Sequence, residues 1–220
     1  MKKVVLPAII AAVLSGCGTV NNALTEKTKT VEYYRIFDIK TQVDRADVIA
    51  AASDGLGENV NSAKENTPIP SFSVAPEQPG RFTLVNPFEG TKLASFAAMS
   101  GTNMKMAKCE GAVWTATASR EVVGSDSLSL TACLWQYKDG YHLDTYASFT
   151  KQEGGLMQIS RSMAGAMVGT PEEWTEKTFL DIVRKIQEET NAKVKYLEGY
   201  PKMQGTPWLD TGAKIEGQHS

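Results

Sequence analysis

His142 and Asp144 stand two residues apart in YHLDTY, so on an extended strand both side chains leave the same face. An imidazole with a carboxylate beside it is the arrangement of an oriented general base. The only other histidine of the 220-residue chain is His219, and no motif sets a serine or cysteine nucleophile beside His142. An exposed polar face on a half-buried sheet explains the pair without chemistry, and no catalytic residue is assigned.

Cys133 could act as a thiolate nucleophile, but no CxxC accompanies it. Met99, Met104, Met106 and Cys109 offer soft donors of the kind that suit Cu(I). The interleaved Lys105 and Lys108 oppose a bound cation, and methionine is a common core filler, so neither a metal nor a cofactor is assigned. Trp135, Tyr137 and Tyr146 fall beside His142 and Asp144, and these five residues form a candidate binding face for a hydrophobic or sugar-like ligand. Met157, Met163 and Met167 offer an adaptable apolar surface to a partner or the bilayer, or simply pack a core.

The elements that must position these residues read as strands. Val113 to Glu121, Ser127 to Tyr137 and Tyr141 to Phe149 are rich in strand formers, with a hairpin dipeptide at Asp139-Gly140. Setting Lys138 against Tyr141 places Leu130, Ala132, Leu134 and Gln136 opposite Phe149, Ala147, Thr145 and Leu143, with the apolar faces coincident. A three-residue loop before that sets Trp114 against Leu134 and Cys133 against Thr115. Cys109 then falls about 20 Å along the neighbouring strand. A disulfide to Cys133 therefore requires the chain to fold back, with Gly111 the natural place.

Val31 to Lys40 alternates as a strand with Arg35 the misfit, and a helix capped by Asp44 follows, carrying Ile49, Ala52, Leu56 and Val60. Four prolines and a glycine make 63–80 a surface loop. Short pieces follow: a strand over Arg81–Val85 and a helix over Thr91–Met99. Thr170-Pro171-Glu172-Glu173 is a capping box that opens the best helix, with Trp174, Phe179, Ile182, Val183 and Ile186 as its apolar stripe. A last strand begins at Lys193. The order predicts an α+β fold, an antiparallel sheet with helices packed on one face, in a single domain over 31–200. Residues 201–220 lack apolar period and read as a disordered or loosely packed tail.

The N-terminus gives an address. Lys2 and Lys3 precede an apolar run, Val4 to Leu14, too short for a membrane span of roughly 20 residues and laid out as a secretory signal. Leu14-Ser15-Gly16-Cys17 resembles the lipobox of bacterial lipoproteins. The resemblance covers this segment alone. It implies a signal peptide over 1–16, lipid on Cys17 and a tether over 17–30 that holds the domain some 20 Å from the bilayer. With Gly18 rather than aspartate after the cysteine, it further implies the outer membrane, on the periplasmic side.

With 42% hydrophobic and 22% charged residues, the exported part can bury a core. The formal net charge is -2 and the sequence has no basic stripe, which argues against a nucleic-acid partner. In an oxidising compartment Cys109 and Cys133 are a natural pair, against which the strand register must be weighed. The expected function is a membrane-anchored lipoprotein that binds or supports another envelope component without catalysis. An envelope hydrolase or redox enzyme, and a carrier of lipid or a small apolar ligand, are the alternatives.

Overall fold

The computed structural model describes residues 27–70, 72–92, 94–95, 105–122, 125–153 and 169–209. The signal segment, Cys17, Met99, Met104, Met157, Met163, Met167 and His219 lie outside them. Strand β1 (Lys27–Lys40) runs antiparallel between β7 (Gly140–Glu153) and β8 (Lys193–Tyr200). It starts four residues before Val31, because Lys27 to Thr30 pair with Glu153 to Thr150 at the end of β7. Those four residues of the expected tether are strand.

The full order is β2-β5-β6-β7-β1-β8, with β2 at Ala63–Asn66, β5 at Trp114–Val122 and β6 at Ser125–Tyr137. A separate two-stranded ladder joins β3 (Thr83–Val85) to β4 (Met106–Lys108). With two helices on the sheet, the chain is a single α+β domain. Part of the proline-rich 63–80 segment is thus an edge strand, which its prolines permit because they fall after Asn66.

Both helices cover one face. Helix α1 (Arg45–Gly57) begins where the Asp44 carboxylate accepts from the Ala46 amide at 2.8 Å. Helix α2 (Pro171–Thr190) carries the complete capping box: Thr170 Oγ1 accepts from Glu173 N, and Glu173 Oε2 accepts from Thr170 N. Gly55 lets the helices touch, since a Cβ there would lie 2.6 Å from the carbonyl oxygen of Asp181. Beneath them are Phe37, Ile39, Trp114, Leu130, Leu134 and Leu143, all fully buried.

Arg35 ceases to be a misfit on this face. Its guanidinium grips Glu176 of α2 through Nε to Oε1 at 3.1 Å and Nη2 to Oε2 at 2.6 Å.

The β5–β6 register sets Trp114 against Leu134 and Thr115 against Cys133, as the apolar pattern predicts. The β6–β7 register differs by two residues from the expectation: Tyr137 pairs with Gly140, Leu134 with Leu143 and Leu130 with Ala147. Lys138 and Asp139 form the turn, so Gly140 is the first residue of β7 rather than part of the loop. A shift of two leaves every side chain on its expected face.

The tail also differs from expectation over its described part, 201–209. Trp208 enters the core against Phe37, with ring centroids 5.5 Å apart and near-perpendicular planes.

Candidate functional site

Alternation sends Tyr34, Ile36 and Asp38 of β1, His142, Asp144 and Tyr146 of β7, and Cys133, Trp135 and Tyr137 of β6 to the face away from the helices. The register brings the five candidate residues together there, but none of them is exposed. Trp135 is 2%, His142 4% and Asp144 0% accessible, and Tyr137 and Tyr146 are also buried. The expected open polar face is instead roofed by the chain itself.

The roof is a strap made of residues 76–82 and 105–113. Pro76 O accepts from Lys138 N at 2.9 Å, and Phe82 N donates to Asp144 Oδ2 at 3.1 Å. The Phe82 ring meets those of Tyr34 and Tyr146, at 6.1 and 5.9 Å between centroids. Gly80 lies against the Trp135 indole so closely that a Cβ would come within 2.4 Å of it. The indole Nε1 donates to Glu110 O at 2.9 Å.

A disulfide joins Cys109 to Cys133, with Cα atoms 6.0 Å apart. The chain reaches that position by folding back at Gly111, whose φ of +73° suits glycine.

Beneath the strap His142 Nδ1 and Asp144 Oδ1 are 3.2 Å apart, although neither atom makes a well-aligned hydrogen bond. General-base work needs a substrate proton within reach. Here Trp135 and Asp38 flank His142 in the register, and Cys133, opposite Asp144, is held in the disulfide rather than free as a thiol. Among the described residues the arrangement positions a buried polar pair with neither a free thiol beside it nor exposure to solvent.

A second polar group at the rim has no counterpart in the sequence reading. Tyr137 OH donates to Asp38 Oδ1 at 2.5 Å and accepts from Lys40 Nζ at 2.5 Å. Gly140, the register partner of Tyr137, lies so close to β1 that a Cβ there would come within 2.2 Å of Ile39 O. Burial, then the bond to Asp38, pushes the Tyr137 hydroxyl above its ordinary range, so it remains a proton donor. The bond to Tyr137 raises Lys40 and keeps it charged. Alternation in β1 puts Asp38 on this face with Tyr34, which was the available signal. Tyr146 is raised by burial and by its 2.8 Å bond to Glu32.

Elsewhere, an open concavity of about 590 Å³ lies between the end of α1 and β2, lined by Ser53, Asp54, Glu58, Asn61, Glu65 and Lys185. Its lining is largely polar. Among the described residues no three His, Cys, Asp or Glu side chains gather as a metal site, and no helix is long and apolar enough to cross a membrane.

No protein-family model matches the chain. No curated protein is significantly similar to it in sequence. The functional reading rests on the residues themselves.

Proposed function

We propose that this chain is a lipid-anchored protein of the bacterial envelope, held by acyl chains on Cys17 at the periplasmic side of the outer membrane, whose domain binds or supports another envelope component without catalysis. The lipobox-like Leu14-Ser15-Gly16-Cys17 after a basic start and a short apolar run carries the reading. Several acyl chains give stable anchoring where one binds only marginally. Burial of His142, Asp144 and Cys133 under the strap, with Cys133 held in a disulfide, argues against catalysis by these three residues.

Metabolic labelling with a palmitate analogue tests the anchor, and crosslinking in intact envelopes tests the partner. Cys17→Ala should abolish the label, release the protein from the membrane fraction and deplete a defined crosslinked complex. Label retained on the Cys17→Ala chain would sink the anchor, and envelope complexes unchanged in a strain without the chain would sink the binding role.

A further inference from the structure

The sheet ends in two unlike edges. β2 offers only four residues, whereas β8 presents eight and, among the described residues, has no neighbour on its outer side. Leu197 and Tyr200 are 43% and 60% exposed along that edge. A long open edge is a template for another strand, and lysines and bulges are the usual guards against unwanted pairing. β8 has both: Lys193, Lys195 and a bulge in which Leu197 has no partner on β1.

The bulge changes what those guards do. In an unbroken strand, residues 195 and 198 point to opposite faces. Here Lys195 pairs with Asp38 and Glu198 with Ile36, so the extra residue returns both to one face. An antiparallel strand related by a two-fold axis through the point between Tyr196 and Leu197 would therefore set Lys195 opposite Glu198 twice, on one face. The same register sets Val194 opposite Gly199 and Lys193 opposite Tyr200, each pair again sharing a face. It is also the register in which all eight residues of the strand are paired.

Among the described residues Lys195 has no acidic partner. Glu198 pairs with Arg81 of the strap while its side chain stays half exposed. Its second carboxylate oxygen can accept from another cation.

We infer that the β8 edge is the docking surface for a second copy of this chain, the two sheets joining antiparallel through β8, with Lys195 of each protomer facing the partner's Glu198. The interface is isologous. Backbone pairing supplies the adhesion, and the two charge pairs select this register and exclude others.

The test is the mass of the full-length chain in detergent, by light scattering across a concentration series. The native chain should dimerise. Lys195→Glu and Glu198→Lys should each weaken the dimer about tenfold or more, since each reversal turns two attractive pairs repulsive. The double variant Lys195→Glu/Glu198→Lys should recover at least about tenfold of the affinity that Glu198→Lys loses, since both cross-strand pairs are again opposite in charge and the loss of the Arg81 pair is common to the two variants. Circular dichroism on the same samples establishes that each variant is folded. Should a single variant not fold, weakening of the native dimer by salt provides the same decision. A native chain monomeric up to about 100 μM, affinity indifferent to both charge reversal and salt, or a double variant no better than the singles would overturn the inference. So would preferential pairing of β8 with a different protein.

Discussion

The two faces of the six-stranded sheet are built from alternate residues of the same strands, yet they are closed by different means. On one, Phe37, Leu134 and Leu143 meet apolar stripes of α1 and α2, so burial of apolar surface does most of the holding. On the other, Trp135, His142 and Asp144 meet a strap with little regular structure. Hydrogen bonds from Phe82 N and to Glu110 O and Pro76 O hold it, with ion pairs from Glu77, Arg81 and Lys105, the Phe82 ring contacts and one disulfide. The helix face is a distributed core in which each residue contributes a share. The strap face depends on a few ties, and the disulfide is the covalent one.

That difference predicts unequal responses to mutation. Phe37→Ala should cost about 3–5 kcal/mol, because it empties a site shared by Tyr196 and Trp208 and weakens the whole domain. Chemical denaturation should show one cooperative transition at lower denaturant. Cys109→Ser with Cys133→Ser should cost about 2–4 kcal/mol by freeing a loop of 24 residues. Its signature is local: hydrogen exchange should accelerate at Phe82 and Ala112 while the helix amides keep their protection. Equal acceleration on both faces would break the distinction.

Smaller changes sharpen it from the helix side. Thr170→Ala removes the acceptor for Glu173 N and should cost about 1 kcal/mol, read from the thermal midpoint, with no change in exchange across the strap.

Acid should probe the contact of α2 with the chain after α1. Burial alone would raise Asp181, but bonds from Lys177, Asn59 and Arg184 outweigh it and hold the carboxyl below its ordinary 3.8. A depressed folded value means that the stabilisation is present above pH 3.8 and is lost as pH falls through the folded value. The thermal midpoint of Asp181→Asn should therefore fall less steeply than the native one below that pH.

The helix face was legible because each of its devices is local or periodic. Asp44 and Thr170 announce helix starts, and Trp114, Ala116, Leu130 and Leu134 alternate regularly enough to set the β5–β6 register. The β6–β7 register lies two residues from the one that an Asp139-Gly140 turn implies, because Lys138 and Asp139 form the turn and Gly140 enters the strand, where a Cβ would come within 2.2 Å of Ile39 O. The strap face was legible only in part. Alternation collected its residues correctly, but nothing periodic marks residues 76–82 as a roof, since their bonds run to partners far along the chain, Pro76 O to Lys138 N and Phe82 N to Asp144. Trp208 was missed for a similar reason, as one aromatic among Gly and Pro gives no period even when it fills a core.

A consequence for function follows from the same contrast. Among the described residues, the helices fill one face and the strap roofs the other, so the aromatic residues that first suggest a ligand are covered, while the sheet edges, the outer sides of helices and strap, and the polar concavity stay open.

Accessibility of His142 decides whether that is so. The full-length chain has two histidines, so acylation of the imidazole by diethyl pyrocarbonate can be assigned by peptide mass. In the native, disulfide-bonded protein His142 should remain unmodified over the time in which the denatured chain is fully acylated. Native His142 reacting as fast as it does in the denatured chain would mean an open site on the strap face, and would contradict the account.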